Sequence, residues 1–327
     1  MNWSPFNPEF MTDPARGHQY LLNEWPVHYC DMFEPPFYTL SRYGDVENAL
    51  RDIKTFSSHF GQGPRFTEPA GMLCDPPQHT QYRKLIQQAF TPKAVAELRP
   101  MVVSLANKLV DDILAGERGF DLHDDLAFPL PVIIIAGMLG VPAEDLEDFK
   151  RWSDMQVELM GSEDPSQYVD EQTRFQAYMH AHMMSRRSLI ESGAEVPEDL
   201  LTLVASAKTD TGEYIPDSDA LSMLNQLLVG GNETTTSLIT NMVWRLLEVP
   251  SLWQEILDDE SLIGAAVEES LRFDPPVLGL YRNTTRSVEL HNQVIPEGSK
   301  VYINYAAANR DAGVFENPDE FSLHRES

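Results

Sequence analysis

Residues 230–235 read Gly-Gly-Asn-Glu-Thr-Thr and interrupt a long apolar helical pattern, between Leu227-Leu228-Val229 and Leu238-Ile239. Glycine costs about 1 kcal/mol in a helix interior, and threonine lowers helix propensity as well. A sequence that breaks local preferences at one place often does so for function. An acid beside hydroxyl groups in an apolar wall, here Glu233 and Thr234, suits proton delivery to a buried reaction centre. The alternative is a helix kink whose threonines bond their own backbone.

The helix around this segment is predicted to run from about Asp219 until Pro250 stops it, with Ser218 as a cap. Its roughly 30 residues would span about 45 Å, the width of a whole domain. The other helical patterns lie at roughly 78–90, 92–115, 124–140, 143–160, 168–192, 197–207 and 262–273. These patterns predict a chain built around one central helix.

The remaining segments indicate a small amount of strand. Residues 37–40 and parts of 277–305 show strand-like patterns, whereas the first 37 residues look irregular. The predicted fold class is therefore mainly α with minor β (α+β).

Composition narrows the class of protein. The 327 residues carry a formal net charge of -27, which argues against a nucleic-acid partner because phosphate binding needs a basic surface. The longest uncharged stretch, 126–143, has an apolar centre too short to cross a bilayer, so we expect a buried core helix and no membrane association. Cys30 and Cys74 show no disulfide pattern, which favours a reducing cytoplasm.

Three further patterns place charged residues at helical or strand-end positions. His79 and Arg83 lie four apart on a predicted helix and could clamp a carboxylate or phosphate, although a solvated polar face gives the same spacing. Glu269 and Arg272 lie three apart and can pair, as many surface residues do. Arg282 follows an apolar strand and is either a second anion clamp or a surface residue.

Together these patterns resemble the cytochrome P450 family, and its bacterial soluble members in particular. The similar segments are Tyr43-Gly44-Asp45-Val46 with Phe56-Ser57-Ser58, Asp75-Pro76-Pro77-Gln78-His79-Thr80-Gln81-Tyr82-Arg83, Gly230 to Thr235, Glu269-Ser270-Leu271-Arg272, Ala308-Asn309-Arg310-Asp311, and Phe315-Glu316-Asn317-Pro318-Asp319-Glu320-Phe321. Each motif is short, but the order and spacing of the motifs along the chain are specific to this family. The resemblance covers nearly the whole chain and implies a single P450 domain over residues 1–327.

The resemblance implies a role for each polar pattern. His79, Arg83 and Arg282 would hold the propionates of haem b, which suits their cationic donors. Glu233 and Thr234 would organise the water that supplies protons during oxygen activation.

The same resemblance implies a structural ion pair and a substrate pocket. Glu269 and Arg272 would pair in the interior, with Arg325 as a third partner because Glu320 stands where arginine is common. Substrate would lie between the long helix and loops around 59–73, 155–195 and 277–280. The implied pocket residues are Leu227, Gly230, Val277 and Leu280.

The family's iron ligand is a cysteine in a glycine-rich, Phe-containing loop that follows the segments quoted above. Neither Cys30 nor Cys74 has that context, and thiolate ligation drives O–O cleavage in this family. We therefore expect a chain truncated before the haem-binding loop and the last helix, and inactive by itself. No metal ligand is assigned within this chain.

The resemblance implies a haem-thiolate monooxygenase that hydroxylates a small or medium apolar substrate with O2. Electrons would come from NAD(P)H through a ferredoxin reductase and a ferredoxin. The alternative is a non-catalytic helical protein that keeps the scaffold and binds a ligand without chemistry.

Local charge gives an independent indication of the electron donor. Residues 76–100 hold four bases against one acid, Glu97, a net of +3 in an acidic chain. The bases are Arg83, Lys84, Lys93 and Arg99. A basic patch suits an acidic ferredoxin, although ordinary charge scatter produces such counts too.

Overall fold

Helices make up most of the described chain, which in the computed structural model comprises residues 3–116, 119–162 and 164–325. The α-helices are α1 (Pro8–Thr12), α2 (Pro14–Asn23), α3 (Tyr43–Arg51), α4 (Gln78–Gln87), α5 (Pro92–Ala115), α6 (Pro129–Leu139), α7 (Leu146–Gly161), α8 (Val169–Ser192), α9 (Leu200–Ala205), α10 (Asp217–Glu248), α11 (Pro250–Asp258), α12 (Ile263–Phe273) and α13 (Tyr305–Ala308). The strands are β1 (Val27–Cys30), β2 (Phe37–Leu40), β3 (Phe56–Ser57), β4 (Leu280–Thr284), β5 (Val288–Leu290), β6 (Gln293–Ile295) and β7 (Lys300–Ile303). The predicted class, mainly α with minor β, is confirmed.

The described residues form two compact units. The first contains the described residues up to Pro69, Leu73–Asp75 and those from Asn241 onward, and the second contains Ala70–Met72 and Pro76–Thr240. Helix α10 contributes to both units, with its long N-terminal part in the second. The expectation of a single domain stays a prediction.

The first unit is built on a five-stranded sheet with strand order β1-β2-β7-β4-β3. Strands β2 and β7 are parallel and the other neighbours are antiparallel. One apolar cluster centres on Val27, Leu40 and Val301, and an aromatic cluster includes Phe37 and Tyr302. Strand β7 lies in the middle of the sheet. Its hydrogen bonds with β4 fix the register of β4, and therefore which β4 side chains share a face with those of β7.

The second unit is helical around one large apolar core. Its most deeply buried side chains come from α7, α8 and α10, and include Phe149, Phe175, Met183, Leu224 and Leu228. Helix α6 adds Ile135 and Leu139, so the predicted core helix in the uncharged stretch is confirmed. No helix in the described part of the chain is both long and apolar enough to cross a membrane.

Prolines at helix starts explain two errors of element prediction. The segment before β2 is predicted to be irregular, but it contains α1, α2 and β1. Pro8 and Pro14 open their helices, where the absent N–H is not needed, and the side chains of Asn7 and Asp13 cap them. Pro250 follows the end of α10 as predicted, but it also begins α11. When a proline is interpreted only as a helix breaker, the helix that begins at that proline is missed.

The expected loop around 155–195 is also wrong, because α7 and α8 fill most of it. Three methionines of these helices, Met155, Met179 and Met183, are buried in the core of the second unit. These side chains therefore pack the protein interior instead of lining a flexible loop.

Candidate active site

The segment 230–235 lies inside the continuous helix α10, and one side of it packs tightly. A Cβ atom at Gly231 would meet Cγ1 of Ile135 at 2.8 Å, so only glycine lets α6 approach this closely. Asn232 is fully buried and donates from Nδ2 to Oγ of Ser153 at 2.7 Å. The Thr236 hydroxyl donates to the carbonyl oxygen of Ala127 at 3.2 Å. Part of the unusual composition therefore serves helix packing.

The other side of the same segment is open. A Cβ atom at Gly230 would meet nothing within 4 Å. The Thr234 hydroxyl donates to the carbonyl oxygen of Gly230 at 2.8 Å, which leaves its oxygen lone pairs available to accept. This bond is the self-bonding arrangement of the kink alternative, yet the helix continues through it. Glu233 lies next to Thr234, half-buried.

The Glu233 carboxyl sits in an environment that favours its neutral form. Burial raises the pKa of Glu233, the nearby negative Asp154 raises it further, and His123 lowers it slightly. Its Oε1 accepts from Nδ2 of Asn232 at 3.1 Å. None of the ion pairs found within residues 3–116, 119–162 and 164–325 includes Glu233. This carboxyl can therefore hold and release a proton closer to neutral pH than an exposed glutamate.

Helix α4 carries His79 and Arg83 in the second unit, with His79 half-buried and Arg83 exposed. Their neighbours fix the helix, since the hydroxyl of Tyr82 donates to Oδ2 of Asp219 at 2.8 Å and Nε2 of Gln78 donates to it at 3.2 Å. These bonds determine how α4 is turned about its axis, and so where His79 and Arg83 lie.

Asp219 belongs to a polar stripe on α10 that sequence reasoning missed. Its Oδ1 accepts from the Gly71 N–H at 2.8 Å, and Oε1 of Gln226 accepts from the Met72 N–H at 2.9 Å. Ser222 and Gln226 both donate to the carbonyl oxygen of Ala70. In the sequence, Asp219, Ser222 and Gln226 have the i, i+3, i+7 spacing of residues on one helix face, and this spacing could have indicated the stripe.

Arg282 lies on β4 in the first unit and is half-buried. Its Nε atom is buried and has no hydrogen-bond partner among the described residues. Its charge lowers the pKa of the neighbouring Tyr305 phenol, against the larger effect of burial, which raises it. An unpaired, partly buried guanidinium is suited to an anionic ligand group.

The structure brings Glu269, Arg272 and Arg325 together in the first unit. Arg272 donates to both carboxylate oxygens of Glu269 at 2.8 Å, and Nε of Arg325 donates to the same carboxylate at 3.0 Å. The remaining donors of Arg272 reach the carbonyl oxygens of Asn309, Pro318 and Glu320. All five guanidinium N–H groups of Arg272 are therefore used.

The four predicted pocket residues divide between the units. Leu227 and Gly230 lie on α10 in the second unit, where Leu227 packs in the core and Gly230 is exposed. Val277 and Leu280 lie in the first unit and are half-buried. A shared substrate pocket for these residues stays a prediction.

The residues present fit a haem group on two observations. The orphaned Nε of Arg282 needs an acceptor, and a haem propionate is a carboxylate that provides one. The open face at Gly230 provides room for a flat group beside α10. Within the described residues no group of three His, Cys, Asp or Glu side chains could hold a metal ion.

Comparisons with known proteins agree with these observations. A family model described as Cytochrome P450 matches residues 24–325. The chain is 36% identical to erythromycin C-12 hydroxylase of Saccharopolyspora erythraea over 294 residues, covering 88% of this chain and 72% of that protein. It is 36% identical to cytochrome P450 monooxygenase PikC of Streptomyces venezuelae over 328 residues, covering 98% and 77%. The solved structure of cytochrome P450 CYP109Q5 from Chondromyces apiculatus is similar with a TM-score of 0.84 and 35% identity, covering 98% and 81%.

Proposed function

Because the chain belongs to the cytochrome P450 family, we propose that it hydroxylates a small or medium apolar organic substrate, with electrons delivered by a ferredoxin and its reductase. The chain is a haem-dependent monooxygenase of the bacterial type, with haem b as cofactor. Bound haem supplies the activation of O2 for insertion of one oxygen atom into the substrate.

The cofactor would be held through its propionates by His79, Arg83 and Arg282. The unpaired Nε of Arg282 supports this role, because a buried donor without an acceptor is costly unless a ligand satisfies it. The bonds from Gln78 and Tyr82 to Asp219 support it too, because they fix the helix that presents His79 and Arg83.

Proton delivery would run through Glu233 and Thr234. The observation that carries this proposal is a half-buried carboxyl with a raised pKa, adjacent to a hydroxyl whose own proton is bound to the Gly230 carbonyl oxygen. Glu233 can donate from its carboxyl oxygen, and the Thr234 oxygen can accept and position a water.

Neither Cys30 nor Cys74 is proposed as the iron ligand. Both thiols are buried in the first unit, and burial raises the pKa of Cys30, which opposes thiolate formation. Cys30 also packs in the aromatic cluster with Trp3 and Phe37.

The electron donor would dock on the basic segment of α4 and α5. Lys84 and Arg99 are exposed there, which leaves their charges available to an acidic partner, whereas the exposed Lys93 pairs with Glu97 at 3.8 Å. Charge reversal at Lys84 and Arg99 should slow electron transfer severalfold at low salt, and an unchanged rate would remove this surface from the proposal. Cys30 and Cys74, both buried and not joined in a disulfide, support a cytoplasmic location.

The test of the function is the haem-loaded protein with O2, NAD(P)H and a ferredoxin system. A thiolate-type red-shifted band in the reduced, CO-bound spectrum, together with hydroxylated product, is expected once a cysteine other than Cys30 and Cys74 is supplied as the iron ligand. Haem binding without that band and without product, even with that ligand supplied, would favour the non-catalytic ligand-binding alternative.

The proton-relay role is tested in the same assay with Thr234→Ala. We expect NAD(P)H consumption to continue while peroxide release replaces most product formation. Thr240→Ala is the matched control, because the Thr240 hydroxyl makes the same backbone bond, to the Thr236 carbonyl oxygen at 2.8 Å, without an acid beside it. Equal coupling in the two variants would contradict the role of Thr234.

A further inference from the structure

A cavity of about 690 Å³ opens on the sheet of the first unit. Its lining residues are Ser57, Phe60, Phe66, Thr67, Glu68, Asn283, Thr284, Thr285, Glu297 and Gly298. The cavity belongs to strands β3 and β4, the loop after β3, and the turn before β7. Arg282 and Asn283 are neighbours on β4, so their side chains point to opposite faces of the sheet. The side chain of Asn283 therefore points away from the face that carries Arg282.

A polar row crosses the sheet at this place. Ser57 of β3 pairs with Asn283 of β4, which pairs with Lys300 of β7. Directly paired residues of neighbouring strands share a face, so these three side chains stand side by side. All three are buried, and Asn283 is only 3% exposed.

Two members of this row have their hydrogen bonds satisfied. The Ser57 hydroxyl donates to the carboxylate of Asp75. Lys300 donates to the carbonyl oxygens of Phe60 at 2.9 Å and Gly61 at 3.2 Å. Lys300 is only 1% exposed, and this burial lowers its pKa to about 8.

Asn283, the central member, is different. Both its Oδ1 and its Nδ2 are buried without a hydrogen-bond partner anywhere in the described residues. An unpaired buried polar group is destabilising, so such a group needs an explanation. Its neighbours do not use it, so its donor and acceptor are open to a ligand or to an ordered water.

The mouth of the cavity is aromatic. Phe60 and Phe66 are 44% and 47% exposed, and their rings meet edge to face with centroids 6.1 Å apart. The Lys300 ammonium lies 4.9 Å from the centroid of the Phe66 ring. Glu68 and Glu297, both exposed lining residues, place negative charge at the rim and disfavour an anionic ligand.

We propose that this cavity binds a flat, neutral molecule that carries a carboxamide group. A carboxamide presents a carbonyl oxygen beside an N–H, which matches the donor and acceptor of Asn283 in one planar pair. The flat body of the ligand would pack against the Phe60 and Phe66 rings. Because both polar atoms of Asn283 are shielded from solvent, the ligand enters beneath these two rings instead of resting on them.

Titration of the full chain with benzamide, followed by NMR or calorimetry, tests this site without haem or turnover. We expect saturable binding at about the millimolar level or tighter. Toluene, which lacks the amide, and benzoate, which is anionic, should each bind at least tenfold more weakly. Equal binding of toluene would mean an apolar pocket only, and tighter binding of benzoate would mean an anion site at Lys300. Either result, or no saturable binding, overturns the proposal.

Variants of Asn283 link the binding to this side chain. Asn283→Leu and Asn283→Asp, which keeps the shape but loses the donors, should each weaken benzamide binding at least tenfold. Asn48→Leu, the same change at an exposed site on α3, should leave it unchanged. Without ligand, Asn283→Leu should keep or raise the unfolding temperature, because it removes an unpaired amide. A clear drop in that temperature with unchanged benzamide binding would mean that only ordered water satisfies Asn283, and the proposal fails.

Discussion

Glu269 and Glu233 are both helical glutamates withdrawn from water, yet the protein moves their pKa values in opposite directions. Burial alone would raise the pKa of Glu269, but the bonds from Arg272, then Arg325 and the Ser322 N–H, outweigh it and hold the pKa below the ordinary range. Burial raises the pKa of Glu233, and no arginine opposes it.

The difference lies in what surrounds each carboxyl. Glu269 is fixed as an anion by two guanidinium groups, so it holds α12 to the segment that follows α13 and does not exchange protons near neutral pH. Glu233 faces the amide of Asn232 and the charge of Asp154, with His123 as the one opposing influence on its pKa, so its protonation state is free to change. A carboxylate saturated with cations is structural, whereas one left without them can carry a proton.

The largest test of this comparison is Arg272→Ala. It leaves the buried Glu269 carboxylate with Arg325 and the Ser322 N–H, and breaking a buried pair in this way costs about 3–5 kcal/mol. Urea unfolding monitored by circular dichroism measures the loss. The matched control is Arg286→Ala, which removes an exposed pair with Asp52 at 3.7 Å and should change stability by less than about 0.5 kcal/mol. Similar losses in both variants would mean that the Glu269 cluster is not structural.

Asp219 sharpens the comparison, because it is a buried carboxylate that accepts hydrogen bonds from three neutral donors. Asp219→Ala leaves the Gly71 N–H, the Tyr82 hydroxyl and the Gln78 amide without their acceptor, so we expect a loss of about 2–3 kcal/mol in unfolding free energy. Hydrogen exchange at the Gly71 amide should accelerate in parallel. The control is Asp210→Ala, at an exposed turn residue. If Gly71 exchange stayed at the wild-type rate, the carboxylate would not be what holds this segment.

Motif order was sufficient to predict the family and the helical class, and the structure explains why. The paired positions of Glu269 and Arg272 follow from helical spacing, which sequence records directly. The third partner, Arg325, lies 56 positions from Glu269 and could be placed only through the family resemblance.

Other features depend on tertiary contacts that no local pattern contains. The segment 230–235 was predicted to be functional as a whole, but Gly231 and Asn232 serve packing against Ile135 and Ser153, residues about 80 to 100 positions away. Asn283 lies in a segment with a strand-like pattern, and only the sheet register shows that it is buried between two neighbours that have hydrogen-bond partners. Sequence periodicity predicts which face of an element is buried, but not which polar atom on that face lacks a partner.

The smallest expected effect, and the one specific to Glu233, is a pH dependence of stability. A carboxyl whose pKa is raised on folding stabilises the protein below its ordinary pKa of 4.5, and this stability is lost as pH rises through the raised value. At pH values above the raised pKa, Glu233→Gln should therefore be more stable than the wild type by less than about 1 kcal/mol. Below pH 4.5 the two proteins should be equally stable. Thermal unfolding from pH 4 to 8 measures the difference.

Control variants in the same pH scan separate the effect of the Glu233 carboxyl on stability from the effect of the overall charge of the chain. Glu268→Gln, at an exposed residue beside Glu269, should give a profile parallel to the wild type. Asp154→Asn should reduce the effect at Glu233, because the Asp154 charge contributes to the raised pKa, whereas His123 acts in the opposite direction. The pH dependence of stability has the opposite sign at Glu269. Folding lowers the pKa of this carboxyl, so the stability that it contributes is lost as the pH falls below 4.5. If Glu233→Gln lost stability above pH 6, its carboxyl would be held as an anion like Glu269, and the difference between the two glutamates would disappear.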